Sequence, residues 1–146
     1  MPADSMTLPE NDREIATMRV LVADDSKPLR DAVRRLVAGY PSWEVCGEAI
    51  NGRDAIEKAM LLRPEVILMD VGMPEVDGLE ATRRIRELLP EVEILIFTQY
   101  DSEQAWREAV AAGARGYLAK AKASCLIEAL EAVSQHQEYS SHTSRV

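Results

Sequence analysis

Polar and apolar positions along this chain follow two periods in turn. From Arg19 onward, short apolar runs such as VLVA, VILM and ILIF recur between stretches whose apolar residues fall at helical spacing. The run "MRVLVADD" predicts a first strand. In "PLRDAVRRLVAGY", Leu29, Val33, Leu36 and Val37 share one helical face, with Pro28 suited to a first turn and Gly39 to a stop. "WEVCGEA" predicts a second strand, "NG" a turn and "RDAIEKAMLLR" a second helix; "EVILMD" and "GLEATRRIRELL" repeat the pair. "EVEILIFT" and "RGYLAK" predict the last two strands. Between them "DSEQAWREAVAAG" predicts a helix, with Asp101 and Gln104 at capping-box spacing and Gly113 at its end. "SCLIEALEAVSQ" closes the pattern as a fifth helix. Residues 1–17 read as a polar, flexible lead-in, 18–137 as one domain and 138–146 as a polar tail.

Strands alternating with helices predict an α/β fold built on a single doubly wound, five-stranded parallel sheet with five helices. The unbroken apolar character of VLVA, VILM and ILIF fits strands buried on both faces. In such a sheet ligands bind beyond the carboxyl ends of the strands. Those ends carry Asp24 and Asp25 after the first strand, Asp70 after the third, Thr98 after the fourth and Lys120 after the fifth.

Composition narrows the chemistry. The chain has 146 residues, 47% of them hydrophobic and 29% charged, as a globular domain does. A net charge of −8 argues against direct nucleic-acid binding, which needs a basic surface to neutralise phosphates. No apolar run approaches the ~20 residues of a membrane span, so a cytoplasmic protein is expected. Cys46 and Cys125 lack the spacing of a metal or redox motif.

Asp70 closes the apolar run "VILMD" with no nearby basic residue in sequence, and an unpaired buried carboxylate is costly. Three carboxylates gathered at one sheet edge repel by several kcal/mol per pair at an effective dielectric of ~20. An oxygen-only donor set of this kind suits a hard cation such as Mg²⁺, and the carbonyl of Gly72 offers a further oxygen. A metal-flanked aspartate with Lys and Thr beside it is equipped to attack an activated phosphoryl group. Two other classes fit less well. A dehalogenase-type phosphatase needs a second Asp two residues after the nucleophile, where this chain has Gly72. A flavin carrier needs a glycine- and hydroxyl-rich phosphate loop after the first strand, where this chain has "ADDS".

The stretches "VLVADDS", "VILMDVGMPEVDGLEATRRIR", "ILIFTQYD" and "AGARGYLAK" resemble the receiver domain of bacterial two-component response regulators, in order, spacing and strand placement. "GEAINGRDAIEKA" and "DGLEATRRIR" look most like the NarL/FixJ subfamily. The resemblance spans residues 19 to 136 and implies a flavodoxin-like (βα)5 fold. It implies that Asp70 is the phosphoacceptor and that Asp25 and Asp70 ligate Mg²⁺ directly, with Asp24 acting largely through water. Thr98 becomes the switch hydroxyl, Lys120 the phosphate-pairing ammonium and Tyr117 the aromatic that follows the switch. The implied partners are a sensor histidine kinase or phosphotransfer protein, a downstream protein effector and a phosphorylation-dependent second copy. The implied activity is self-catalysed phosphoryl transfer and autodephosphorylation rather than that of an enzyme. A binding-only adaptor and the receiver half of a DNA-binding regulator are the alternatives. Gln99 follows Thr98 where many relatives have Ala or Ser, and Ala121 follows Lys120 where many have Pro.

Overall fold

The computed structural model describes residues 17–142. The expected lead-in therefore lies outside the described residues, apart from Thr17. Strands β1 (Met18–Ala23), β2 (Trp43–Ala49), β3 (Val66–Met69), β4 (Glu93–Thr98) and β5 (Gly116–Ala119) alternate with helices α1 (Lys27–Ala38), α2 (Gly52–Leu62), α3 (Gly78–Leu88) and α4 (Glu103–Ala112). A 3-10 turn over Lys120–Cys125 leads into α5 (Leu126–Ser134), and β6 (Tyr139–Ser140) follows. The sheet runs β2-β1-β3-β4-β5-β6, and every pairing is parallel.

Alternate residues of each strand serve opposite faces. Leu21, Ala23, Ile67, Met69, Ile94 and Ile96 pack with Ala55, Ala59, Ala81, Ile85 and Ala109 of α2, α3 and α4. Val20, Val22, Val66, Leu68, Leu95 and Phe97 pack with Val33 and Val37 of α1 and with Leu126, Leu130 and Val133 of α5. Because helices cover both sides, every residue of β3, β4 and β5 is buried, which is why those strands read as continuous apolar runs.

Three features differ from the sequence expectation. The sheet has six strands, not five. Beta6 spans two residues and has no apolar alternation, so no pattern announces it; its ladder holds it, with Tyr139 N donating to Arg115 O and Ser141 N to Tyr117 O. Helix α4 is capped by Ser102, whose hydroxyl accepts from Ala105 N at 3.1 Å, and not by Asp101. Both residues are good N-caps, and the helix simply begins one residue later. Lys120 opens the 3-10 turn instead of ending β5, which moves the start of α5 to Leu126.

Away from the acidic edge, Glu93 of β4 is buried among Arg86 (3.0 Å), Arg115 (3.1 Å) and His136 (2.5 Å). Burial pushes its carboxyl up, but hydrogen bonds from His136, Arg115 and Arg86 outweigh burial and hold it below its ordinary value. A carboxyl held low by the fold contributes stability above its unfolded pKa, and that stability is lost as pH falls through the folded value. Glu93→Gln is expected to cost about 1–2 kcal/mol at pH 7, at the low end because both arginines are partly exposed. Thermal melts from pH 7 down to 3 should then show a shallower loss below pH 4.5 in the variant than in the wild type.

Candidate functional site

The first two aspartates are fixed by the turn between β1 and α1. Asp24 N donates to Ala49 O at 2.9 Å, extending the β1 ladder by one residue. Its carboxylate accepts from Ser26 N at 2.8 Å, while the Ser26 hydroxyl caps α1. Arg30, one turn into that helix, donates to the Asp24 carbonyl at 2.8 Å and is itself held by Glu48 of β2 at 2.7 Å. Sequence reading missed this clamp, because it joins Arg30 to a backbone carbonyl before the helix and to a carboxylate on another strand.

Asp70 is placed by the neighbouring strand. Its amide donates to Ala23 O at 2.9 Å, so the residue closing β3 sits beside the residue closing β1. Gly78, the first residue of α3, lies so close that an added Cβ would stand 1.9 Å from the Asp70 carbonyl oxygen. The close approach depends on tertiary contact that local sequence pattern does not carry.

The result is a cavity of about 270 Å³ lined by Asp24, Asp25, Asp70, Gly72, Gln99 and Lys120, among others. Carboxylate oxygens of Asp24, Asp25 and Asp70 lie within 4.8 Å of one another. Asp24 and Asp70 are buried and Asp25 is exposed. The Lys120 ammonium bridges two of them, 2.9 Å from Asp24 and 3.3 Å from Asp70.

Charge in the cavity does not balance. Burial and the neighbouring Asp24 raise the Asp70 carboxyl above its ordinary value, despite Lys120 and the Gly72 amide. Burial pulls the Lys120 ammonium down, yet Asp24 and Asp70 more than reverse that and leave it raised. Three carboxylates face one ammonium here, and because burial alone would lower the lysine, its raised value reflects the negative charge of Asp24 and Asp70. The donor set is all oxygen and lacks positive charge, which fits a hard divalent cation.

Two expected site residues, Thr98 and Tyr117, do not line this cavity, and their hydroxyls are aimed elsewhere. The Thr98 hydroxyl accepts from Tyr100 N at 3.2 Å. Tyr117 is buried against the α2–α4 face and its hydroxyl donates to the Tyr100 carbonyl. Both therefore hold the peptide groups of one residue, Tyr100, in the β4–α4 loop. Lys122 turns away and donates to Ser141 O at 3.0 Å.

Residues 20–131 match the sequence profile of the response regulator receiver domain. The chain belongs to that family. This receiver is 37% identical over 123 residues to the transcriptional regulatory protein DegU of Brevibacillus brevis, covering 84% of this chain and 52% of DegU. It is 37% identical over 120 residues to the chemotaxis protein CheY of Thermotoga maritima, covering 80% of this chain and 98% of CheY. A LuxR-family two-component response regulator from Aurantimonas has a solved structure that superposes with a TM-score of 0.81 at 32% identity, covering 85% and 89% of the two chains. The receiver spans about half the length of DegU and of several other curated relatives. It is a signalling domain homologous to phosphorylation-switched response regulators.

Proposed function

We propose that this receiver takes a phosphoryl group onto Asp70 in a Mg²⁺-dependent reaction and alters a partner-binding face in response. The observation that carries the reading is the convergence of Asp24, Asp25, Asp70 and Lys120 from three separate strand ends into one cavity with excess negative charge. Asp25, Asp70 and the Gly72 carbonyl would hold the cation directly, and Asp24 largely through water. When bound, the cation neutralises charge on the transferring oxygens.

An Asp70 carboxylate oxygen forms the new bond to phosphorus while the bond to the donor's leaving group breaks. With a phosphohistidine donor the imidazole leaves. Lys120 is already placed on Asp70 and pairs with a phosphoryl oxygen once it arrives. The Thr98 hydroxyl turns from Tyr100 N to a second phosphoryl oxygen. Because Tyr117 holds the carbonyl of the same Tyr100, release of that loop passes to β5 and α4. A full shift of such an equilibrium needs ~5.5 kcal/mol of differential stabilisation, and charge-assisted hydrogen bonds are strong enough to share it.

The receiver unit is taken as residues 18–137, with residues 138–142 packed along the edge of its sheet, in the cytoplasm, with a histidine kinase or phosphotransfer protein upstream and a protein effector or second copy downstream. Among the described residues no helix is long and apolar enough to cross a membrane. Incubation with acetyl phosphate, with and without Mg²⁺, tests the reading by intact mass. Wild type should gain one phosphoryl mass only with Mg²⁺, and Asp70→Asn should gain none. Equal gain by Asp70→Asn, or no gain by wild type, overturns it.

A further inference from the structure

The segment after α5 passes along the free edge of β5 and ends beside the turn that carries Lys120. Ser141, next to the last described residue of this segment, is buried. Its amide donates to Tyr117 O at 2.9 Å. Its hydroxyl accepts from Ala119 N at 2.9 Å, and its carbonyl accepts from the Lys122 ammonium at 3.0 Å. One residue thus makes three hydrogen bonds, to positions three before, one before and two after Lys120.

That bracketing matters because β5 ends at Ala119 and the 3-10 turn begins at Lys120. The Ala119 amide is the last ladder donor on that edge, and the backbone bends immediately after it. Beta6 stops at Ser140, so a side-chain hydroxyl, not a backbone carbonyl, meets the Ala119 amide. Farther along the turn, Lys122 departs from helical backbone angles (φ −111°, ψ 37°) while its ammonium reaches back to the Ser141 carbonyl. The far end of the segment is anchored as well: His142 Nδ1 lies 3.5 Å from Asp101, and its ring stands 6.1 Å from that of Trp106.

We infer that Ser141 is a positioning residue for phosphoryl transfer, acting through Lys120. It fixes the backbone leading into Lys120 and, through the Lys122 side chain, tethers the turn after it, so that the ammonium stands over Asp24 and Asp70 before any phosphoryl group arrives. The inference rests on the phosphoacceptor reading of Asp70. A lysine free to swing would still be charged, but its placement would be purchased at each encounter, and small misplacements near a reacting centre lower rates strongly.

The test is the initial rate of phosphoryl gain by the full chain from acetyl phosphate with saturating Mg²⁺. Ser141→Ala should slow it by about tenfold, and Ser141→Thr, which keeps the hydroxyl, should restore most of the rate. Lys122→Met should produce a smaller loss of the same kind without disturbing the buried Ala119 amide. In a Lys120→Ala background, already slow and followed over longer incubation, Ser141→Ala should cause no additional loss. An unchanged rate in Ser141→Ala, or an equal fractional loss with and without Lys120, overturns the inference. If wild type gains no phosphoryl mass, it is the reading of Asp70 that fails; normal wild-type uptake with an unaffected Ser141→Ala removes only the role of Ser141.

Discussion

Gly78→Ala is expected to destabilise the protein by about 3 kcal/mol and to slow phosphoryl gain at Asp70 in the same variant. A Cβ at Gly78 would lie 1.9 Å from the Asp70 carbonyl oxygen, 2.8 Å from its carbonyl carbon and 2.9 Å from Val71 Cα. All three contacts are backbone, so no rotamer change relieves them, and the start of α3 must move away from the end of β3. That movement breaks the Gly78 N to Val71 O hydrogen bond at 3.0 Å. It also pulls on Thr82, whose hydroxyl donates to the Gly78 carbonyl at 2.7 Å. Because the clash is with the backbone of the residue that carries the nucleophile, stability and reactivity fall together. Gly72→Ala is the control: an added Cβ there meets nothing within 4 Å, so its stability should stay within about 0.5 kcal/mol of wild type. Urea unfolding of the two variants, read beside their acetyl phosphate rates, separates close packing from glycine content. Wild-type stability in Gly78→Ala would remove the steric argument.

What the sequence revealed follows from how each feature is encoded. The runs VLVA, VILM and ILIF were legible because strands covered on both faces must be apolar throughout. Once those strands were parallel, their ends had to share an edge, and Asp24, Asp25, Asp70 and Lys120 do meet there. Legibility ended where a contact is set by distant backbone or by a rotamer. Gly78 is needed because α3 approaches Asp70, which no local pattern states. Thr98 and Tyr117 fall where strand placement puts them, but the direction of their hydroxyls, both onto Tyr100, depends on the β4–α4 loop. Beta6 escaped because two residues among polar neighbours carry no periodicity; its hydrogen bonds to β5 are specified by β5's open edge as much as by its own sequence.

Lys120→Met should destabilise the metal-free protein by about 2–3 kcal/mol, less than for a fully buried pair because the lysine is partly exposed. The ammonium is the charge that faces both Asp24 and Asp70, whose side chains are only 3% and 10% exposed. Without it two nearly dry carboxylates confront each other with Asp25 alongside. Asp70 already holds its proton more tightly than an ordinary carboxyl, chiefly through burial and then the charge of Asp24. A carboxyl raised by folding favours the folded state when protonated, and this contribution disappears as pH climbs through the folded value. The metal-free wild type therefore carries an ionisation penalty at neutral pH, and Lys120→Met enlarges it. Two consequences distinguish this account from simple loss of packing. Asp70→Asn in the Lys120→Met background should recover much of the lost stability, a non-additivity expected for groups in contact. Mg²⁺ should raise the melting temperature of Lys120→Met more than that of wild type, since a cation bound to the folded state offsets the same unbalanced charge. Thermal melts of wild type, both single variants and the double variant, with and without Mg²⁺, provide the measurement. If Lys120→Met melts with the wild type in the absence of metal, the lysine is not compensating these aspartates and the charge argument for the site fails with it.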